Sequence, residues 1–251
     1  MKKYLLIGLL AISGSTFAQS TKIVAHRGAW KNTKVPQNSI AALQEAIKLK
    51  VWGSEFDVSM TKDSVLVVNH DNDYKGIDIA TNTYATLLQK PLDNGEKIPT
   101  AEEYLKVGLK QKKTRMVFEI KPNKLGAEQS KLSARLAYDL VKRYKGLKRT
   151  VFISFSYDVC QQLVALDKKV KVQYLGGNKT PAQLKQDGIS GLDYHYSVYN
   201  NNPTYIEDAK KLKLETNVWT VNSESDMVNF IQKKINYITT DQPELLKKLI
   251  K

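Results

Sequence analysis

Residues 116–154 read MVFEI-KPNKLGAEQSKLSARLAYDLVKRYKGLKRT-VFIS, and this stretch decides the class of fold. Met116–Ile120 and Val151–Ser154 are short apolar runs rich in β-branched or aromatic residues, as is typical of buried strands. Between them, leucines recur every four residues from Leu132 to Leu140, which predicts an amphipathic helix. A strand–helix–strand unit of this kind joins two parallel strands.

The same alternation extends along most of the chain. Seven further segments have strand-like composition: Ile23–Ala25, Ser54–Val58, Val65–Asn69, Val170–Leu175, Ile189–Tyr194, Thr216–Val221 and Tyr237–Thr239. The alternation predicts a parallel α/β fold, either an open sheet or a closed barrel. No glycine-rich dinucleotide-binding loop follows the first strand, which removes the best argument for the open sheet. The link from Asp57 to Val65 is too short for a helical crossover, so it predicts either a hairpin or a bare returning loop.

The first residues have the pattern of an export signal. Lys2 and Lys3 precede the apolar run Tyr4–Ile12, and small residues lead up to Ala18. We therefore predict a signal peptide over residues 1–18, cleavage after Ala18, a single domain over 19–251, and a periplasmic or secreted location. The run is shorter than the roughly 20 apolar residues that a membrane-spanning helix requires. The alternative is an N-terminal helix packed on the core.

Charge and cysteine content restrict the partners. The formal net charge is +14, and removal of Lys2 and Lys3 with the signal leaves +12. Because the lysines are spread over many segments, they indicate solvated helix faces rather than a nucleic-acid site. Their field would attract anionic substrates. The single cysteine, Cys160, excludes an intramolecular disulfide and is predicted to pack inside a helix. The oligomeric state is not predicted.

Three acidic residues occupy strand positions that are otherwise apolar. Glu55 and Asp57 are two apart on one predicted strand and therefore point to the same face. Glu119 stands similarly in the strand Met116–Ile120. Inward carboxylates repel one another unless a cation joins them, and oxygen ligands suit Ca²⁺ or Mg²⁺. Buried ion pairs with Arg27 and Lys121 are the alternative, and the spacing favours neither interpretation.

Two of the three histidines come directly after predicted strands. His26 follows Ile23–Ala25, and His70 follows Val65–Asn69. The carboxyl ends of strands are where parallel barrels build active sites, although a single histidine there is more often structural. His195 follows a later strand, and we predict a structural role or a place on the rim for it.

Several short motifs occur in an order that resembles the glycerophosphodiester phosphodiesterase family. They extend over about residues 23–246, nearly the whole predicted domain, and are individually weak. The motifs are His26-Arg27-Gly28, Pro36-Gln37-Asn38-Ser39, Glu55-Phe56-Asp57-Val58, Thr61-Lys62-Asp63, Val67-Val68-Asn69-His70-Asp71, Ile98-Pro99-Thr100, Glu119-Ile120-Lys121-Pro122, Trp219-Thr220-Val221-Asn222 and Thr240-Asp241-Gln242-Pro243.

The resemblance implies a TIM-type (β/α)8 barrel and hydrolysis of a glycerophosphodiester to an alcohol and glycerol 3-phosphate, a reaction of lipid metabolism. The site residues that it implies are the acid–base pair His26 and His70, the ligands Glu55, Asp57 and Glu119 of a Ca²⁺ or Mg²⁺ ion, the phosphate-binding Arg27 and Lys121, and Trp219 in the substrate cleft. Histidines suit proton transfer near neutral pH, and a divalent cation neutralises phosphate charge. No cofactor besides the cation is implied.

The sequence departs from the family at two places. Gln37 replaces a glutamate, and residues 72–78 differ from the usual continuation after His70-Asp71, which affects the expected substrate. Two other functions remain open. One is a phospholipase C-like or sphingomyelinase D-like enzyme that forms a cyclic phosphate, and the other is a non-catalytic module that binds anionic headgroups. The sequence does not assign base and acid between the histidines, nor direct water attack against a cyclic intermediate.

Overall fold

The computed structural model of the chain describes residues 21–250. Its eleven strands are β1 Lys22–Ala25, β2 Gly53–Met60, β3 Leu66–Val68, β4 Asp73–Tyr74, β5 Ile77–Asp78, β6 Arg115–Ile120, β7 Thr150–Ser154, β8 Lys171–Tyr174, β9 Gly191–His195, β10 Glu215–Trp219 and β11 Tyr237–Thr240. Each of the nine strand-like segments predicted above corresponds to one of these strands. The small hairpin of β4 and β5 was not predicted.

Eight of the strands form a closed parallel ring in the order β1, β2, β6, β7, β8, β9, β10, β11. Pairing of β1 with both β11 and β2 closes the ring. The prediction of a TIM-type (β/α)8 barrel is confirmed. The short link from Asp57 to Val65, predicted as either a hairpin or a bare loop, is part of a hairpin, because β3 pairs antiparallel with β2 outside the ring.

Helices follow the barrel strands and cover the outside of the ring. The α-helices are α1 Ile40–Leu49, α2 Tyr84–Leu87, α3 Ala101–Gly108, α4 Ala127–Arg143, α5 Tyr157–Leu166, α6 Pro181–Gln186, α7 Tyr196–Asn201, α8 Tyr205–Lys211, α9 Glu224–Gln232 and α10 Pro243–Leu249. Capping hydrogen bonds start two of these helices: Ser39 accepts a hydrogen bond from the Ala42 amide, and Thr100 forms a capping box with Glu103.

Strand residues alternate between two cores. Inward side chains such as Val24, Val117 and Val151 fill the barrel, while outward side chains such as Phe118 and Phe152 pack beneath the helices. Because both faces of each barrel strand are buried, the strands are nearly continuous apolar runs, and a charged residue on the inward face stands out.

The hairpin of β2 and β3 places His70. β2 continues to Met60, and β3 returns antiparallel beside it, with Val58 opposite Val68. At the end of β3 the Asn69 amide donates to the Asp57 carbonyl oxygen over 3.0 Å. His70 is thus carried back to the level of Asp57. It follows a strand as predicted, but that strand runs opposite to the barrel strands.

Gly28 lies where the first loop touches α1, and we expect its replacement by alanine to destabilise the fold. Its φ is +84°, and an added Cβ would lie 2.6 Å from Ala42 Cβ. Gly95→Ala is the matched control, because Gly95 has the same φ and no atom within 4 Å of the added Cβ. Gly95→Ala should cost about 1 kcal/mol, and Gly28→Ala about 1–3 kcal/mol more because of crowding. Urea unfolding measures both, and equal losses would contradict the steric explanation.

The predicted signal peptide lies outside the described residues and stays a prediction, as does the domain boundary at residue 19. Among residues 21–250, no helix has the length and apolar character needed to cross a membrane. Cys160 is buried within α5, as predicted.

Candidate active site

A cleft with a cavity of about 110 Å³ lies at the carboxyl ends of the barrel strands. It brings together all eight side chains singled out in the sequence: His26, Arg27, Glu55, Asp57, His70, Glu119, Lys121 and Trp219. These residues come from five separate segments of the chain, and closure of the barrel places them around one opening.

The three predicted ligands form an acidic triad. Glu55, Asp57 and Glu119 each place one carboxylate oxygen within 4.8 Å of the others, and all three are buried. Asp57 and Glu119 are register partners on the adjacent strands β2 and β6. Asn38 fixes the Asp57 carboxylate by donating to its Oδ2 over 2.9 Å. The triad is therefore preorganised by the sheet and by the loop before α1.

Two cations accompany the triad. Lys121 Nζ lies 2.9 Å from Glu119 and 3.2 Å from Asp57, and Arg27 Nε lies 3.5 Å from Asp57. The predicted ion pairs therefore exist. Three carboxylates against two cations leave an excess negative charge, and Glu55 Oε1 is buried with no hydrogen-bond partner among residues 21–250. Buried, unpaired carboxylate oxygens are costly, so the ion pairs do not complete the site.

The pKa values of the triad reflect this excess. Burial, with the charges of Asp57 and Glu119 added, raises the pKa of Glu55 well above its usual value. Burial and Asp57 raise the pKa of Glu119 to about 7. For Asp57 burial acts in the same direction, but Lys121 and the Asn38 hydrogen bond outweigh it and lower the pKa. An all-oxygen donor set with uncompensated charge fits a hard divalent cation.

Arg27 connects the first loop to the triad. Its φ is +55°, and its amide donates to Glu55 Oε2 over 2.7 Å. The guanidinium donates through Nη1 to Gln37 Oε1 over 2.7 Å. Glutamine at this position therefore still orients the arginine, but through a neutral acceptor. Gln37 itself adds no negative charge beside the guanidinium.

His26 is held in place by hydrogen bonds that involve two further residues. Its Nδ1 lies 2.7 Å from Asp241 Oδ1, and Asn222 donates to Asp241 Oδ2 over 2.8 Å. The hydrogen bond from His26 lowers the pKa of Asp241 against the effect of burial. Arg27 Nε donates to His26 Nε2 over 3.2 Å. These contacts place the ring proton on Nδ1, while the Nε2 lone pair accepts the hydrogen bond from Arg27 beside the cleft.

His70 is supported more loosely. Its Nδ1 lies 2.7 Å from Asp71 Oδ1, and the Asp71 side chain is 72% exposed. Burial lowers the pKa of His70, against the opposing charge of Asp57. The lowered pKa favours the neutral imidazole, which can accept a proton.

The wall opposite β2 is apolar and aromatic. Trp219 and Phe155 meet edge to face at 5.5 Å, and both line the cleft together with Leu175. His195 packs on Trp219 at 5.1 Å and on Tyr196 at 4.0 Å. His195 therefore lies on the rim, as predicted, and it also accepts from the Ser197 amide at the start of α7.

The segment that departs from the family forms the hairpin of β4 and β5 beside the cleft. Asp73 Oδ2 accepts from the Gly76 amide over 2.8 Å and closes its turn. Asn69 donates to the carbonyl oxygens of Asp71 and Asp73, each over 2.9 Å. The altered sequence thus builds a defined turn that is tied to the loop of His70.

Sequence reasoning missed Asp193, Asn217 and Phe155. Asp193 is 1% exposed and lines the cleft from β9. It stands inside the predicted strand Ile189–Tyr194, so the argument used for Glu55 applies to it equally. Phe155 follows β7 and had no comparable signal, since a loop phenylalanine does not indicate a cleft.

A larger groove of about 410 Å³ lies outside the ring, between the β3 hairpin, α3 and α4. No histidine lines it, and two of its three charged lining residues, Glu102 and Arg143, pair with each other over 3.2 Å. The chemistry therefore points to the smaller cleft.

Comparison with known proteins gives one consistent result. Residues 26–245 match the model of the glycerophosphoryl diester phosphodiesterase family. A glycerophosphodiester phosphodiesterase of Caldanaerobacter subterraneus subsp. tengcongensis is 30% identical, with 92% of this chain and 98% of the relative covered.

Solved structures agree. A glycerophosphodiester phosphodiesterase from Parabacteroides distasonis has a TM-score of 0.90 and 44% identity, with 92% of this chain and 97% of that chain covered. An Oleispira antarctica phosphodiesterase, solved with the product sn-glycerol-3-phosphate, has a TM-score of 0.78 and 22% identity, with coverages of 92% and 97%. At that identity the second likeness shows the fold alone.

Proposed function

The chain belongs to the glycerophosphoryl diester phosphodiesterase family, and from this premise we propose that it hydrolyses glycerophosphodiesters to an alcohol and sn-glycerol 3-phosphate with a divalent cation and a histidine pair. One observation carries the proposal. His26 and His70 line the same cleft as the acidic triad, together with Arg27 and Lys121. Proton-transfer groups and charge-neutralising groups thus surround a single small cavity.

The triad is the proposed cation site. Glu55, Asp57 and Glu119 would hold Ca²⁺ or Mg²⁺, because only hard cations match an all-oxygen set. The cation supplies neutralisation of phosphate charge. The unpaired Glu55 Oε1 supports this assignment from the protein side, since a bound cation would satisfy it.

Arg27 and Lys121 are the proposed phosphate-binding residues. Their positive groups lie beside the triad, 3.5 Å and 3.2 Å from Asp57. A phosphate at the triad would come within reach of both, and the guanidinium can donate two parallel hydrogen bonds to it. Gln37 would keep that guanidinium oriented without neutralising it.

The histidines would divide the two proton transfers. One imidazole removes a proton from the attacking oxygen, and the other donates a proton to the departing alkoxide. Two observations support this assignment. Asp241 holds His26 with its ring proton on Nδ1, and the lowered pKa of His70 favours the neutral imidazole, which can accept a proton. The attacking oxygen is either water or the neighbouring hydroxyl of the substrate.

The proposal is tested by measuring release of glycerol phosphate from glycerophosphodiesters with varied headgroups. Reactions are run with chelator, and then with Ca²⁺ or Mg²⁺ added back. We expect chelator to abolish release and one ion to restore it. The ³¹P NMR spectrum identifies the product.

Other outcomes would contradict parts of the proposal. Accumulation of a cyclic phosphate would favour the phospholipase C-like or sphingomyelinase D-like reaction. Full activity in chelator would contradict the cation. No release with any ion, combined with saturable binding of glycerophosphodiesters, would favour a binding module.

A further inference from the structure

Asp193 is a buried carboxyl group that the proposed chemistry does not use. It is 1% exposed and lines the cleft from β9. Its Oδ2 accepts from Asn217 Nδ2 over 3.1 Å, but its Oδ1 is buried and has no hydrogen-bond partner in the described part of the chain. An unpaired buried polar atom in a native fold calls for an explanation, and at a cleft that explanation is often a ligand.

The surroundings hold Asp193 in one orientation. Asn217 is its register partner on β10 and also donates to Thr239 Oγ1 over 2.9 Å. Trp219 Nε1 donates to the Asp193 carbonyl oxygen over 2.9 Å. Side chain and main chain are therefore both anchored, while one carboxyl oxygen stays free. Burial raises the pKa of Asp193 to about 8, so near neutral pH the group can donate or accept a hydrogen bond.

Ring order places Asp193 opposite the triad. In the eight-stranded ring, β9 is four places from β2, which carries Glu55 and Asp57. Asp193 is not among the carboxylates that cluster within 4.8 Å. If the substrate phosphate is held at the triad, the part of the substrate that binds Asp193 must therefore extend across the cleft.

The dimensions of the cleft indicate which part of the substrate crosses it. The cavity is about 110 Å³, which suits a three-carbon unit at its buried end. Phe155 lines the cleft and is 40% exposed, so the variable headgroup would meet solvent on this side. The small buried end and the exposed aromatic rim thus fit the two substituents of the phosphate.

We propose that Asp193 determines specificity by binding, through its free carboxyl oxygen, the terminal hydroxyl of the substrate's glyceryl group. The inference rests on the proposed hydrolysis of glycerophosphodiesters. The terminal hydroxyl is assigned because the hydroxyl next to the phosphate stays near the triad. A buried partner for a hydroxyl discriminates strongly against a substrate that lacks it.

The experiment compares two substrates in two proteins, each saturated with the activating ion. One substrate is a glycerophosphodiester. The other is the matching propane-1,2-diol phosphodiester, which lacks only the terminal hydroxyl and keeps the hydroxyl next to the phosphate. Wild type should prefer the first by about 10–100-fold in kcat/KM, as expected for a hydrogen bond to a buried carboxyl group. Asp193→Asn should reduce that preference to below about 3-fold.

The ratio of kcat/KM for the two substrates distinguishes a specificity role of Asp193 from a purely structural role. Equal losses of kcat/KM on both substrates in Asp193→Asn, with the preference retained, would overturn the proposal, and so would a wild-type enzyme without the preference. If Asp193→Asn does not fold, Asn217→Ser removes the orienting donor and should lower the preference in the same direction. An unchanged preference in that variant would also count against the proposal.

A binding measurement keeps this test independent of turnover. Calorimetry compares sn-glycerol 3-phosphate with propane-1,2-diol 1-phosphate in wild type and Asp193→Asn. A wild-type enzyme that binds both equally would overturn the role of Asp193. Preferential binding of glycerol phosphate without any turnover would contradict the proposed hydrolysis and leave the subsite standing.

Discussion

Replacing either His26 or His70 by alanine is expected to lower kcat by about 10²–10⁴-fold, the usual contribution of a positioned acid or base. Neither imidazole belongs to the acidic triad, so both variants should still bind Ca²⁺ or Mg²⁺. Steady-state rates of glycerol phosphate release measure the loss, and calorimetric titration with the ion verifies that the site is intact. Normal turnover in either variant would remove that histidine from the mechanism.

The carboxylates behind the two histidines provide a matched comparison. Asp241 is 18% exposed behind His26, whereas Asp71 is 72% exposed behind His70. Since solvent screens the exposed pair, Asp241→Asn should lower kcat by more than Asp71→Asn does. Asp241 is a positioning residue, so its variant should also change the pH profile. Equal effects of the two variants would contradict this difference between the histidines.

Glu55→Gln is expected to have opposite effects on cation binding and on stability. Loss of a ligand charge should weaken Ca²⁺ or Mg²⁺ binding by at least about 10–100-fold. Losses of this size result even from mutating residues that only hydrogen-bond to a metal ligand. In the cation-free protein the same change removes a buried, incompletely paired charge, and should stabilise the fold by about 1–3 kcal/mol. Calorimetric titration measures the first effect, and urea unfolding in chelator measures the second.

The stabilisation should depend on pH. The folded-state pKa of Glu55 is raised, so the folded protein favours the protonated carboxyl group. The destabilising effect of the ionised Glu55 carboxylate is therefore absent below the unfolded-state pKa of about 4.3. It grows as pH rises toward the folded-state pKa. The free energy of unfolding of Glu55→Gln should equal that of wild type near pH 4 and be higher than that of wild type near pH 7.5. Unchanged cation affinity in the variant would return Glu55 to the ion-pair interpretation.

Glu128→Gln is the matched control for these measurements. It removes the same charge from an exposed position on α4, where the side chain is 86% exposed and pairs only with Lys131. We expect neither cation affinity nor stability to change beyond about 0.5 kcal/mol.

The amino-acid sequence by itself determined the nine strands of the main sheet, the alternation of strands with helices, and the inward carboxylates. Alternating apolar runs and capped helices are local patterns with periods that backbone geometry imposes. Glu55 and Asp57 share a face in any β-strand, because side chains alternate along it. The order of short motifs was sufficient to indicate the family and its eight site residues.

The tertiary structure decided which of these residues meet. His70 reaches the cleft because β3 returns antiparallel beside β2, a pairing that depends on contacts between strands rather than on strand composition. The contact of Asp241 with His26 and the position of Asp193 opposite β2 depend equally on ring closure. The physical reason is that side-chain periodicity is local, whereas distances across a barrel are set by the order in which distant strands pair.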